Sequence, residues 1–291
     1  VSNKGKGIPV ARIKVITDSA CDLPSNLVEE HGIGIVPLDV RLGEWKADEM
    51  KSVDPAEFWR RCAMTDALPE TSSPSPGAFA ESFARAADEG CPSVVCLTLS
   101  ADLSGTYQAA RLGAEEVRGR VDVRVVDTRT VSVGEALVVL KTARVGAATN
   151  NLDLAEAAAR AVVPNVHVYC TLDTLDNVKK GGRIGAARAT LGSLLSIKPV
   201  LEIRDGVVRA EARQRTRARS LQYLVDLVKG AGKLEALAVA HAAAVDLEPF
   251  LDMLASVFPR EDTLVSYLGP VIGAHGGPGC LGVAYLPAGA A

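Results

Sequence analysis

The sequence predicts an α/β protein of two domains. The N-terminal one is a three-layer α/β/α domain on a parallel sheet, and the C-terminal one an α+β domain with a mixed sheet. Three observations lead there. The first half alternates short aliphatic runs with helical stretches at βαβ spacing. The second half loses that alternation and gains a hairpin turn, Arg204-Asp205-Gly206. The chain has 291 residues, more than the ~100–200 of one typical domain. The expected division is a disordered leader over 1–12, an N-terminal domain over 13–164 and a C-terminal domain over 165–291.

The elements follow in order. Ile13 to Thr17 is an aliphatic strand ended by Asp18-Ser19, and a helix runs from Asp22-Leu23-Pro24 toward Glu30, where Pro24 fits the first turn. Gly34 to Val40 reads as a strand. Pro55 to Met64 is a helix with Phe58, Trp59 and Cys62 on one face, and Pro76 to Glu89 is a second helix. Val94 to Leu99 is a strand, Gly105 to Val117 a helix, and Val121 to Val126 a strand ending at Asp127-Thr128. Helices over Val133 to Ala148 and Asp153 to Val162 complete the first half. In such a sheet, ligands sit beyond the carboxyl ends of the strands, where Asp18-Ser19, Ser104-Gly105 and Asp127-Thr128 fall.

After the boundary near Pro164 come a strand from His167, a helix over Thr174 to Lys180 stopped by Gly181-Gly182, and a helical stretch over Ala186 to Ser193. Ile197 to Ile203 and Val207 to Arg213 form the hairpin. Thr216 to Val228 is a helix, and Ala236 to His241, Thr263 to Leu268 and Gly282 to Leu286 are strands.

Composition excludes several classes. The net charge is −3 and aromatic residues make up 4%, so neither an electrostatic footprint nor stacking platforms for nucleic acid are present. Hydrophobic residues make up 48% of the chain, mostly Ala, Val and Leu, so a lipid cavity would be lined by aliphatic side chains. No run approaches the ~20 apolar residues of a membrane span. The six cysteines, at 21, 62, 91, 96, 170 and 280, form no C-x-x-C pair and read as reduced thiols of a soluble, cytoplasmic monomer.

The chemistry concentrates in three polar islands: Thr71-Ser72-Ser73-Pro74-Ser75-Pro76-Gly77, Leu103-Ser104-Gly105-Thr106, and the glycine-rich loop from Gly269 to Gly279 with His275. Hydroxyls beside glycine at a helix start offer side-chain and backbone donors to one anion. Set among so many aliphatics, they suggest a carboxylate on an oily molecule. Competing motifs fail. Gly230-Ala231-Gly232-Lys233-Leu234 lacks the upstream glycine and the Ser or Thr of a phosphate loop, and reads as a helix-ending turn. Asp18-Ser19-Ala20 lacks the second aspartate of an aspartyl-phosphate phosphatase and reads as a capping turn. Ser104 sits in no G-x-S-x-G elbow, although Ser104 and His275 remain an alternative nucleophile–base pair for an acyl hydrolase or transferase. His31, His167, His241 and His275 have no metal-ligand spacing, so no metal and no cofactor is expected. Lys179-Lys180-Gly181-Gly182-Arg183 reads either as a capped helix end or as a receptor for phosphate or an acidic partner, as does the cluster from Arg213 to Arg219.

Five segments appear in an order that resembles the DegV family, the bacterial fatty-acid-binding proteins also called FakB. They are Ile16-Thr17-Asp18-Ser19, Thr71-Ser72-x-Pro74-Ser75-Pro76, Leu103-Ser104-Gly105-Thr106-Tyr107, Lys179 to Gly185, and Gly269 to Gly279. The resemblance runs from about Ile13 to Pro287. It implies a long-chain fatty acid in a tunnel between two domains, its carboxylate held by Thr71, Ser72, Ser104, Gly105, Thr106 and His275. It also implies a separate ATP-dependent fatty-acid kinase resembling dihydroxyacetone kinase. That kinase makes acyl-phosphate for phospholipid synthesis, while the carrier itself is no enzyme. Lys179, Arg183 and Arg215 would then dock the kinase or steady the phosphate. Two positions depart from the family pattern: Ser73 stands where glutamine is common, and Gly276 where threonine is common.

Overall fold

The structure, a computed structural model, describes residues 13–45, 54–65, 67–185, 187 and 197–289. The leader expected over 1–12 lies outside the described residues, as does the helical stretch expected over 186–193 apart from Ala187.

In the first half the order is β1 (Ile13–Asp18), a 3-10 turn (Ser19–Cys21), α1 (Ser25–Glu30), β2 (Gly34–Val36), β3 (Asp39–Arg41), α2 (Pro55–Ala63) and β4 (Glu70–Ser72). It continues with α3 (Pro76–Asp88), β5 (Ser93–Thr98), α4 (Thr106–Glu116), β6 (Asp122–Asp127), α5 (Val133–Thr149) and α6 (Leu152–Val162). The second half has β7 (His167–Thr171), α7 (Asp176–Lys180), β8 (Lys198–Arg204), β9 (Val207–Gln214), α8 (Arg217–Gly230), β10 (Leu234–His241), α9 (Leu247–Leu254), β11 (Leu264–Tyr267), α10 (Pro270–Gly276) and β12 (Leu281–Pro287).

The expected α/β architecture is present. β2, β1, β5 and β6 form a parallel sheet in that order. Phe79, Phe83, Ala109 and Ala110 of α3 and α4 pack on one face, and Val138, Val139, Ala155 and Ala159 of α5 and α6 on the other. The second sheet runs β11-β10-β12-β7-β8-β9, with only β10 and β11 parallel. Leu221, Leu224, Phe250 and Leu254 of α8 and α9 cover one of its faces. The hairpin turns on Asp205 and Gly206, both at positive φ, as a two-residue turn requires.

Three expectations change. The strand read over Gly34 to Val40 breaks at Pro37, which has no N–H to give a ladder. β2 stays in the parallel sheet, while β3 leaves it and pairs antiparallel with β4. The first polar island is therefore partly strand, with Thr71 opposite Val40 and Ser72 opposite Asp39. The glycine-rich loop is also no loop throughout: Pro270 starts α10, whose last turn carries His275. Finally, α9, which holds the buried Phe250, Leu251 and Leu254, was not expected from the sequence.

α5 joins the two halves. It is apolar nearly all round, as a helix enclosed on every side must be. It packs against β1 and β5 of one sheet and β10 and β12 of the other. The approach is close at Gly134, where a Cβ would overlap Val168 of β7 and Thr130. Gly134→Ala tests that contact. Alanine's helix preference would add up to ~1 kcal/mol, but overpacking costs ~1–3 kcal/mol. Net destabilisation in chemical denaturation is expected, and stabilisation would show that the two halves are not closely packed there.

Candidate functional site

The strand order puts the carboxyl ends of β1, β5 and β6 on one edge, and the polar islands gather beyond it. A cavity of about 310 Å³ lies there, at the lower end of the usual range for ligand sites. Its walls are aliphatic and come from both halves of the chain: Leu38, Leu99, Val131 and Val133 from the first, and Val168, Leu201, Ile203, Val208, Leu268 and Val271 from the second. A group of polar residues interrupts the apolar lining, Thr71, Ser72, Ser73, Ser104, Gly105, Arg183 and His275, and Ser132 and Tyr169 are also in the wall. Residues more than 200 positions apart in the sequence thus meet in one place.

The hydrogen bonds define this group. His275 Nε2 lies 3.1 Å from Thr71 Oγ1. Ser104 Oγ lies 2.8 Å from Thr106 Oγ1 and accepts from Thr106 N at 3.3 Å. Thr106 is fully buried and is absent from the cavity wall, so it acts through Ser104. Gly105, the N-cap of α4, lines the cavity, while the first N–H of that helix, at Thr106, is taken by Ser104 Oγ. Ser73 packs against Gly105: a Cβ there would sit 3.3 Å from Ser73 Oγ. The first two islands are therefore in contact.

His275 is held neutral. Burial, and then the Arg183 guanidinium, push its pKa from 6.5 down to about 4. Its Nδ1 is buried and has no hydrogen-bond partner. That nitrogen rests on Gly181, where a Cβ would overlap it. Gly181 was read as a helix-capping glycine. It does follow α7, but its φ is −67°, which any residue adopts, and the left-handed residue is Gly182 at φ 71°. Contact with the imidazole is what requires glycine at 181. Arg183 spans the site, donating from Nε to Leu103 O at 3.3 Å and from Nη1 to Gly181 O at 2.6 Å.

Beside this polar group lies a second cavity of about 680 Å³, which shares Thr71, Ser72, Arg183 and His275 with the first. Arg41 and Lys180 join its wall, with Glu70 facing Arg41. Lys180 belongs to the basic segment named from the sequence, whereas Arg41 does not stand out there. Arg41 reaches the site only through the pairing of β3 with β4. Of the basic residues named from the sequence, Arg183 lines both cavities, while Lys179 and Arg215 are exposed and line neither. The two departures also lie in the wall: Ser73 adds a hydroxyl, and Gly276 packs on Cys280, where a Cβ would come within 3.2 Å of the sulfur. Among the described residues, no group of His, Cys, Asp and Glu could hold a metal ion, and no helix is long and apolar enough to cross a membrane.

The Ser104–His275 pair of the hydrolase alternative is not formed. The imidazole bonds Thr71, Ser104 bonds Thr106, and no carboxylate orients Nδ1. Two outcomes follow. Gly181→Ala leaves the backbone unstrained but displaces the imidazole, so it should weaken binding at the polar group, and unchanged affinity would show that the imidazole is not needed there. In NMR titrations of the empty protein, His275 should titrate near 4, with its midpoint rising when a carboxylate binds beside it. The unfolded chain takes up that proton near 6.5. His275 therefore adds stability that is complete above that pH and is lost as pH falls toward 4.

Known proteins resemble this chain over nearly its whole length. The family model described as "Uncharacterised protein, DegV family" matches residues 12–288. A DegV domain-containing protein of Streptomyces coelicolor is 38% identical over 276 residues, covering 93% of this chain and 97% of that protein. Among solved structures, a fatty-acid-binding DegV family protein from Thermus thermophilus superposes with a TM-score of 0.83 at 33% identity, covering 95% of this chain and 99% of the other. DegV of Bacillus subtilis, described as a fatty acid binding protein, gives a TM-score of 0.84 at 26% identity, covering 95% and 99%. A match over nearly the whole length shows that the chain belongs to the DegV family.

Proposed function

We propose that this protein binds a long-chain fatty acid in a tunnel between its two domains, 13–164 and 165–291, and presents the carboxylate to a separate kinase. The observation that carries the reading is an aliphatic cavity interrupted by one group of hydroxyls and a neutral imidazole. The acyl chain supplies affinity, about 0.8 kcal/mol per buried CH₂ before the costs of binding. The carboxylate needs donors, because a buried charge without partners is expensive. Thr71, Ser72, Ser104, the N–H of Gly105 and His275 supply them, with Thr106 acting through Ser104. The fatty acids bound by the family members from Thermus thermophilus and Bacillus subtilis support the same ligand class.

Hydroxyl donors suit a carrier. They hold a carboxylate without the bidentate grip of an arginine and leave one of its oxygens free to accept a phosphoryl group. The basic second cavity, with Arg41, Lys180 and Arg183, is where the new phosphate would sit. Lys179 and Arg215, both exposed, would contact a cytoplasmic ATP-dependent kinase resembling dihydroxyacetone kinase. On this reading the protein has no catalytic residue of its own and works as a monomer.

Native mass spectrometry followed by denaturing extraction tests the carrier function. The wild type should retain a fatty acid. Ser104→Ala should lose it, with affinity for added fatty acid down by about 1–3 kcal/mol. A protein that neither retains nor accepts fatty acid overturns the reading. Alanine variants of Lys179 and Arg215 should bind lipid normally yet slow acyl-phosphate formation by the kinase; a collapse of lipid binding would show that they serve the cavity instead.

A further inference from the structure

The turn that follows β1 takes no part in lining the polar group, yet it bonds, directly or through one neighbouring strand, to the segments that carry Ser104, Thr71 and His275. Asp18 Oδ2 accepts from Leu99 N at 2.9 Å. Leu99 leads directly into the turn in which Ser100 O accepts from both Leu103 N and Ser104 N at 3.1 Å. Ser19 Oγ accepts from Leu38 N at 3.0 Å. Leu38 leads into β3, the strand that pairs with Thr71 and Ser72. Asp22 Oδ1 accepts from Gly269 N at 2.8 Å, and Gly269 is the N-cap of α10, which carries His275. The other Asp22 oxygen accepts from Ser132 Oγ at 2.5 Å, and Ser132 lines the cavity. Asp22 O accepts from Ser266 Oγ, just ahead of α10. Asp18 Oδ1 completes the set by accepting from Ala20 N at 2.9 Å, which fixes the turn itself.

We propose that Asp18, Ser19 and Asp22 are the positioning residues of the carboxylate site: three side chains of one five-residue turn that set Ser104, Thr71 and His275 at a common distance from the ligand. This rests on the fatty-acid reading above. The bond pattern supports it. Ser104, Thr71 and His275 stand on separate segments: the turn holds the first and last directly, at Leu99 and Gly269, and reaches Thr71 through Leu38 and the pairing of β3 with β4. A free hydroxyl or imidazole shifted by 1 Å would still line the cavity but would no longer converge on one carboxylate. The turn is also kept in an unusual conformation, since Asp22 has φ 51°, in the left-handed region.

The chemistry of the two carboxyls makes the proposal specific. Both Asp18 oxygens face backbone N–H groups, which can only donate. Asn at 18 would turn its amide N–H₂ toward one of them, leaving two donors facing each other. Asp22 faces one N–H and one hydroxyl, and a hydroxyl can rotate to accept. Asn at 22 can therefore keep both bonds. Burial pushes both carboxyls up to about 7. At pH 8 both are acceptors, which fixes the condition for the assay.

The test compares affinities at pH 8 for a long-chain fatty acid and for the primary alcohol with the same chain. The ratio of the two isolates the head-group contribution from the cavity. Asp22→Ala, Ser19→Ala and Asp18→Asn should each reduce that ratio about tenfold, the size of one lost charge-assisted hydrogen bond, with alcohol affinity unchanged. Asp22→Asn should keep the ratio near wild type. If Asp22→Ala does not fold, Ser19→Ala, which removes one bond at the edge of the turn, carries the test. Parallel loss of acid and alcohol affinity in Ser19→Ala and Asp18→Asn would reduce the turn to a general structural role and overturn the proposal. So would an unchanged ratio in all variants while the wild type prefers the acid. A wild type that binds acid and alcohol equally would instead overturn the carboxylate reading, and the proposal with it.

Discussion

A buried polar group must be given partners, and in this chain that requirement organises the space between the two sheets. The carboxyls at the end of β1 are enclosed among aliphatics, and each oxygen is met by an N–H or O–H from elsewhere in the sequence. Those donors belong to the segments that surround the cavity. Satisfying the buried acids and assembling the site are therefore one event. Glu135 of α5 sits nearby with Thr17 donating to it at 2.8 Å, and its carboxyl is pushed far above the usual range by burial and by Asp18. The chain therefore accepts a costly cluster at the place where its halves meet, a cost that apolar packing around α5 must offset.

That packing also accounts for the cavity. The two sheets are bridged by a helix without a polar face, and one apolar cluster runs through both halves, from Leu38 and Leu99 to Leu201 and Ile203. Side chains along the cavity are mostly Val, Leu and Ile, whose branched, stiff shapes line a space without collapsing into it. A slender apolar molecule replaces the dispersion contacts that an empty space lacks. On the proposed reading, ligand binding finishes the core.

Apart from Arg183, the polar group carries no charge where it meets the cavity, and further cations lie just outside it. Within it are hydroxyls and an imidazole whose protonation burial opposes. Beyond it, Arg41, Lys180 and Arg183 face a more open space. Arg183 belongs to both regions and also ties Leu103 to Gly181, so it couples the loop of Ser104 to the segment under His275. On the proposed reading, such a gradient would let a carboxylate enter without being locked in a salt bridge, while a second anionic group would find cations one step further out.

The sequence alone determined the layers and the chemistry. Aliphatic runs alternating with helices required a parallel sheet, and the position of Ser104-Gly105 after the run at 93–99 put that island at the ligand edge. Local pattern sufficed because period and capping are local properties. Only the tertiary structure decided how the pieces meet. Pro37 hinted at a break, but nothing local said that β3 would pair with β4 and bring Arg41 to the site. His275 reads as a loop residue because glycine and proline surround it, yet seven residues suffice for a helix once Asp22 meets its N-cap N–H. Gly181 looks like any helix-ending glycine until the imidazole resting on it is seen. Lys179 and Lys180 are equivalent as letters, and only the rotation of α7 turns Lys180 to the second cavity and leaves Lys179 outside both. Each of these depends on a contact between residues distant in the chain, and such contacts are fixed by packing rather than by any property of the segment itself.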